Sequence, residues 1–533
     1  MKKVELLDCT LRDGGYLNDW EFGHEELLSI FERQVSTNVE FIEVGFIDAR
    51  RPFDINRSIF PDTASAEKIY GKIDKKNATV MGMIDFGTCP IENIQPCSES
   101  YLDGIRIIFK EHLMYEAIAF CKQVKALGYA VFAQMVSATT YTDEKLRELM
   151  GLINDLHPYA VSMVDTYGLM HQENVMHIFE VMDRYLDEDI AIGYHSHNNF
   201  QMAYANCLEF LSKEVNRTIL ADGTLYGMGK SAGNAPIELL AMHMNEKFGK
   251  HYDISQMLEA IEVNIMELQS RCQHWGYSML FFISSSKKCH PNYVNYLVKK
   301  KTLSIKSINE ILDNIIPEKK LMYDQKHIEQ LYLDYQKKEC DDKNDIEKLT
   351  GILSGKKILV LGPGPSMSTE ADKICEYVLN EKPIIFSINY IPKCVTPEYL
   401  FLSNAKRYVQ ISTELKDDSN ASITVIATSN VTKTSGLFDY NLNYSELIDE
   451  NTDIPDNSLA MLLRFFIRTG VKDVALAGFD GYSVKETNYF DSDKEYSFAK
   501  DKAEYLNNYI KNLLEANKAT LAVEFITKSY YQD

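Results

Sequence analysis

Across about the first 240 residues, short apolar runs alternate with amphipathic stretches, and no other feature narrows the fold so far. The runs at 4–8, 41–46, 79–84, 104–109, 130–136, 160–164, 190–194 and 218–221 are predicted strands. Between them apolar residues recur at helical spacing, as Leu27, Leu28, Ile30, Phe31 and Val35 do. Eight β-then-α units in roughly 250 residues have the size and rhythm of a (β/α)8 TIM barrel. Periodicity does not show closure, so a doubly wound open sheet is the rival.

At 533 residues the chain exceeds one ordinary domain, and its pattern changes twice after the barrel-like part. Residues 266–335 read as a helical extension expected to cover the barrel mouth, with an irregular segment at 276–293. Residues 336–348 are highly charged and apolar-poor, a candidate linker. A second α/β domain of Rossmann-like type is expected over 349–533, with strands at 357–361, 384–388, 423–427 and 474–477 and a helix at 458–468. This leaves 1–265 for the barrel domain.

A formal net charge of −21 argues against nucleic acid or an anionic membrane surface as the main partner. The ten cysteines are scattered with no Cys-x-x-Cys pair, so neither a zinc ribbon nor a disulfide framework is indicated. The N-terminal apolar run is short and carries Glu5, unlike a signal peptide. With no long apolar span in the sequence, the expected location is the cytoplasm.

Three strings carry the chemistry. Asp8-Cys9-Thr10-Leu11-Arg12-Asp13-Gly14-Gly15 follows the first run and places an arginine beside an acid at a strand end. His195 and His197 stand two apart at the end of the seventh run, so on a strand both imidazoles would share a face. Gly227-Met228-Gly229-Lys230-Ser231-Ala232-Gly233-Asn234 forms a glycine-rich turn after the eighth. One carboxylate and two neutral imidazoles leave open positions on an octahedral ion, as a Lewis-acid site requires. Arg12 offers a planar fork of donors to an oxyanion. Glu43, a carboxylate in an apolar strand, needs a partner, and Arg12 on the adjacent strand is the natural one.

These strings resemble the metal-dependent pyruvate aldolase and 3-hydroxy-3-methylglutaryl-CoA lyase-like superfamily over residues 1–290, with wording nearest 4-hydroxy-2-oxovalerate aldolase. The resemblance implies a barrel, a divalent ion (Mn2+ or Mg2+) on Asp13, His195 and His197, and Asn234 as a further ligand or orienting group. It also implies a hydroxyl near Thr166 for a substrate carboxylate, and a 2-oxo acid and an aldehyde as small-molecule partners. A homo-oligomer is expected. One departure matters: where those aldolases carry a histidine base, this chain has Tyr16, whose ordinary pKa is near ~10. Tyr16 itself, a metal-bound hydroxide, and Tyr277 or His290 from the cover are the candidates for its role. The rival activities are an acyl-CoA Claisen synthase or lyase and a non-catalytic scaffold that retains its metal.

In the second domain, Gly362-Pro363-Gly364-Pro365-Ser366 follows a strand as a turn whose N–H groups could cradle phosphate. With Asn389 after the next strand, the order of motifs is similar to sialyltransferase-type Rossmann-like domains. The similarity implies a nucleotide or nucleotide sugar at Gly362, Gly364, Ser366 and Asn389, and with the aldolase a place in sugar-acid or surface-polysaccharide synthesis.

Overall fold

The computed structural model describes every residue except 1–2, 272–273, 301–302, 338–339, 434–435, 450–451, 453, 486, 490–499, 501 and 533. Its contacts divide the chain into two compact units, Met1–Pro291 and Asn292–Asp533.

The first unit is a closed barrel of parallel strands: β1 (Lys3–Asp8), β2 (Phe41–Ile47), β3 (Thr79–Asp85), β4 (Gly104–Phe109), β5 (Ala130–Met135), β6 (Ala160–Asp165), β7 (Ala191–Ser196) and β8 (Thr218–Gly223). Closure is made by β1, which pairs along its length with β8 and again with β2 through Leu7↔Phe41 and Asp8↔Ile42. This excludes the open sheet. Seven of the strands feed an α-helix that returns over the outside, α1 (His24–Ser36) being the first, while β3 is followed only by the short 3-10 turns Ile91–Asn93 and Cys97–Glu99. Helix α1 buries Leu27, Ile30, Phe31 and Val35, one stripe of a 3.6-residue period.

The barrel interior is graded along its axis. Leu7, Cys9, Phe41, Met81, Phe132, Ala160, Ala191 and Leu220 form an apolar cluster. Nearer the C-terminal ends of the strands, Glu43, Arg106, Gln134, Ser162 and Asp222 are all buried and polar. Several strands outrun their apolar stretches for this reason. β3, β6, β7 and β8 end on Asp85, Asp165, Ser196 and Gly223, one or two residues beyond the hydrophobic runs. Catalytic groups of TIM barrels sit at this end.

The expected helical extension is divided between the units. Helices Met266–Arg271 and Met279–Ser286 belong to the first; the 276–293 segment is thus largely helical, with Ser278 capping Leu280 N–H. The Ser285 hydroxyl donates to the Tyr167 carbonyl (3.1 Å) and accepts from Asn199 (2.9 Å), which ties Met279–Ser286 to the loops after β6 and β7. Helices from Pro291–Lys300 onward lie in the second unit. Of the expected linker, 338–339 lie outside the described residues, and Lys343 onward is already helix Lys343–Leu353.

The second unit is built on a seven-stranded parallel sheet: β9 (Lys357–Leu361), β10 (Ile384–Ile388), β11 (Tyr399–Leu402), β12 (Thr424–Thr428), β13 (Tyr440–Leu442), β14 (Asp473–Ala477) and β15 (Ala522–Phe525). Its order is β13-β12-β11-β10-β9-β14-β15, consistent with a Rossmann-like domain. The chain winds outward from β9 to β13, then returns to the other side of β9. The strand order therefore reverses between β9 and β14.

The glycine turn after β9 does not leave its backbone donors to an anion, contrary to the expectation at Gly362, Gly364 and Ser366. Gly362 N–H donates to the Ala477 carbonyl and Gly364 N–H to the Gly478 carbonyl, both at 2.8 Å. Ser366 N–H donates to the Asp480 carboxylate (2.9 Å), and its hydroxyl donates to the other Asp480 oxygen. The donors are consumed in joining the β9 and β14 ends, and a carboxylate stands against them.

Candidate active site

Arg12 and Asp13 lie in a single helical turn, Thr10–Asp13, at the end of β1. Asp8 holds that turn by accepting from Thr10 N–H (2.8 Å) and from its hydroxyl. Burial pushes the Asp8 carboxyl up to about 7, with these bonds opposing. Asp8 thus shapes the motif from beneath.

The two histidines have defined tautomers because each has one nitrogen committed. His195 Nδ1 is 3.0 Å from Asp222 Oδ2, an acceptor, so Nδ1 carries the proton and Nε2 the lone pair. Burial lowers the pKa of His195, with Asp222 opposing, so the ring is neutral at neutral pH. His197 Nδ1 is 2.9 Å from the Asp165 carbonyl, which again leaves Nε2 as the acceptor. That Nε2 is buried, has no hydrogen-bond partner among the described residues, and faces Asp13 Oδ2 at 3.6 Å.

Two buried acceptors facing each other without a proton between them fit a cation. Asp13, His195 and His197 offer ligand atoms that all lie within 4.8 Å of one another. Their neutral-imidazole and carboxylate chemistry suits a divalent ion. Although burial alone would raise it, Arg12 above all holds the Asp13 carboxyl well below the usual range, so it is an anion. Asn234 joins the cluster through Nδ2, which donates to Asp13 Oδ2 (2.6 Å), while its buried Oδ1 has no partner among the described residues.

Arg12 sits against the cluster. Its Nε donates to Glu43 Oε2 (2.7 Å) and its Nη1 to Asp13 Oδ1 (2.5 Å). Burial works against its charge, but Glu43 and Asp13 more than offset that. Glu43 Oε2 also accepts from Arg106 Nη1 (3.1 Å), and Arg106 Nη2 donates to Gln134 Oε1 (2.9 Å) and to Asp222. A continuous charged network, Arg12–Glu43–Arg106–Asp222–His195, therefore runs beneath the site. The sequence reading missed Arg106 and Asp222. A charge inside the apolar run Gly104-Ile105-Arg106-Ile107 carries the same signal that singled out Glu43.

A cavity of about 60 Å³ opens over these groups, walled in part by Arg12, Asp13, Tyr16, Thr166, His195 and Lys230. Thr166 Oγ1 accepts from Ser137 N–H (2.7 Å), a bond that leaves its own proton uncommitted, and the residue walls the cavity. Lys230 was missed as a site residue despite lying in the glycine string. Its Nζ lies over the Tyr16 ring (5.4 Å) and the Tyr167 ring (5.8 Å), and its N–H donates to Asp13 (3.2 Å).

Tyr16 packs edge-on against Trp20 and Phe46. Desolvation pushes its hydroxyl upward, with Arg12 opposing, so the phenol is a proton donor. The His290 ring meets Tyr167 at 6.1 Å, and partial burial, aided by Lys230 and Lys110, lowers its pKa to about 4. It is a neutral imidazole and is not among the residues walling the cavity. Tyr277 is 66% exposed and is not among the residues walling the cavity.

The turn over the mouth depends on glycine, and Gly229 is the position that bears directly on the cluster. A Cβ on Gly229 would lie 2.1 Å from Asn234 Nδ2 and 2.4 Å from Asp13 Oδ2. Gly229→Ala should therefore displace both groups and weaken divalent-metal affinity by roughly 10–100-fold, the usual penalty for disturbing groups that orient ligands. Calorimetric titration with Mn2+ is the check; unchanged affinity would show that the turn moves freely.

A closed (β/α)8 barrel with Asp, His-x-His and Arg at the C-terminal ends of its strands defines a candidate Lewis-acid lyase or synthase centre. A model of the HMGL-like family matches residues 3–266, and this N-terminal part of the chain belongs to that family. A 4-hydroxy-2-oxovalerate aldolase of Shewanella pealeana is 26% identical over 317 residues, 54% of this chain and 88% of its own. An oxaloacetate decarboxylase of Mycobacterium tuberculosis is 25% identical over 252 residues, 45% of this chain and 70% of its own. The N-terminal domain of a putative aldolase from Bacteroides vulgatus aligns with a TM-score of 0.48 at 22% identity, covering 57% of this chain and 99% of that one. Among the described residues no helix is long and apolar enough to cross a membrane.

Proposed function

We infer that the first unit is a carbon–carbon lyase or aldol-type synthase that handles a 2-oxo acid such as pyruvate and an aldehyde at a divalent-metal site. The observation that carries this is the facing pair of buried acceptors, His197 Nε2 and Asp13 Oδ2, beside the charged edge of Arg12. A divalent ion held by Asp13, His195 and His197 supplies Lewis-acid polarisation of a carbonyl. Arg12 holds the negative charge that develops on the substrate oxygen, and Glu43 fixes the plane of its guanidinium. Thr166 donates to the substrate carboxylate. Asn234 keeps Asp13 oriented through its amide.

The test is methyl deuteration of pyruvate in D2O with Mn2+ or Mg2+, followed by NMR after the metal is removed. Enolisation should appear without any acceptor, and complete absence of exchange with the metal-loaded protein would sink the aldolase reading. Arg12→Lys should keep the metal but slow exchange by roughly 10²-fold, since an ammonium does not reproduce a fork of donors at an oxyanion. A change of only a few-fold would make Arg12 a structural residue.

Tyr16 favours a second reading, decarboxylation of a 3-carboxy-2-oxo acid. Loss of CO2 forms the enolate with no base, and a protonated phenol at the mouth can then return a proton to carbon. Stoichiometric CO2 and pyruvate from oxaloacetate, without exchange into added pyruvate, would select this reading over the first.

A further inference from the structure

A cavity of the second unit lies where its strand order reverses. It has a volume of about 660 Å³ and opens beyond the C-terminal ends of β9, β10, β11 and β14, with Gly364, Asn389, Asn404 and Phe479 in its wall. Open α/β sheets bind ligands at this crevice, and small-molecule pockets run to ~300–1,000 Å³.

The wall has two kinds of chemistry. One is aromatic and amide: Tyr390, Phe479 and Tyr482 with Asn389, Asn404 and Asn457. Asn389 adopts a left-handed backbone (φ 57°), and its side chain is held by Ser403 and by Ser458 (2.9 Å). A non-glycine residue held there by side-chain bonds is the kind of local strain that clusters at ligand sites. The other is cationic: Lys299, Lys300, Arg407 and Lys502. Arg407 is only 6% exposed and donates to Gln410 (2.9 Å). Lys300 Nζ lies over the Tyr296 and Tyr332 rings and 3.7 Å from Glu329. Among the described residues the wall holds two carboxylates, both engaged: Asp456 accepts from Tyr332 (2.8 Å) and Asp480 from Ser366. In a chain of net charge −21, four cations and two acids among the described residues of one wall make this a locally basic lining.

We propose that this cavity is a second ligand site, for a nucleotide or nucleotide-linked sugar. Its base packs on the tyrosine and amide wall, and its phosphate lies toward Arg407 and Lys300. The anion is held by side chains, which differs from the backbone cradle expected of the glycine turn. Guanidinium and ammonium donors bind phosphate without any free backbone N–H, and aromatic rings with amides hold a planar base.

The test is calorimetry on the full chain carrying Asp13→Asn, which silences the barrel site so that the two readings fail independently. The titrants are nucleoside mono- and diphosphates, the matching nucleosides, and inorganic phosphate. At least one nucleotide should bind below about 1 mM and roughly tenfold or more tighter than its nucleoside or phosphate alone. Arg407→Gln should weaken that binding by roughly tenfold or more. Asn295→Trp, at an exposed helical position on the wall, should do the same by filling the cavity, and covers the case in which the buried arginine variant fails to fold. The proposal is overturned if no nucleotide binds at millimolar concentration, if inorganic phosphate binds as tightly as the nucleotide, or if Asn295→Trp leaves the affinity unchanged.

Discussion

Replacing Asp13 with Asn and His195 with Ala together should strip the protein of its divalent ion and abolish deuterium exchange into pyruvate. The single changes should differ in degree. Asp13→Asn removes the only carboxylate of the cluster and leaves Arg12 Nη1 without its anion. His195→Ala removes a ligand and also leaves Asp222, already bearing one buried oxygen with no partner among the described residues, to Arg106 alone. Removing either should weaken metal binding by at least the roughly 10–100-fold seen for groups that merely orient ligands. The double variant should hold no stoichiometric metal after dialysis. Metal analysis and methyl deuteration on the same preparations decide the matter. Full metal occupancy in the double variant would show that the facing acceptors are not ligands.

Much of the barrel was legible because buried parallel strands are continuous apolar runs, and eight of them at regular spacing leave few alternatives. What the runs concealed was their polar ends. Asp222 directly follows Ile219-Leu220-Ala221, and an apolar window stops at Ala221, so the residue that fixes the tautomer of His195 fell outside the predicted strand. His197 shows the same limit: β7 ends at Ser196, and His197 is held by a bridge to Asn234. Tertiary pairing places it, not strand periodicity. Lys230 was visible as a letter in the glycine string, but only the fold brings it against Tyr16 and Tyr167.

The second unit was less legible for different reasons. Tyr399–Leu402, Tyr440–Leu442 and Ala522–Phe525 are strands of three or four residues, too short to stand out from a loop. The glycine turn misled because its sequence reports that a tight turn forms, not where the N–H groups point. Asp480, more than a hundred residues on, takes the Ser366 donors, and no local pattern encodes that pairing.

The buried network also predicts where the barrel is least tolerant. Arg106 has no exposed surface and, among the described residues, is the sole link between Glu43 and Asp222. Replacing it with leucine leaves Glu43 to Arg12 alone and strips Asp222 of its cation among buried neighbours. Breaking a buried ion pair by removing one partner costs about 3–5 kcal/mol, and here Asp222 is the anion left without a cation. The loss should appear in hydrogen exchange of the β4 and β8 amides, which reports on the barrel without assuming that a two-unit chain unfolds in one step. Measurements without divalent metal are the sharper comparison, because ligand binding to the folded state would add stability of its own. Adding Asp222→Asn to Arg106→Leu should recover part of the stability, since the stranded charge is then gone, while metal affinity stays low because His195 has lost its carboxylate acceptor. A loss below about 1 kcal/mol for Arg106→Leu, the range of a surface pair, would mean that water reaches the network and that the barrel floor does not hold the site by charge.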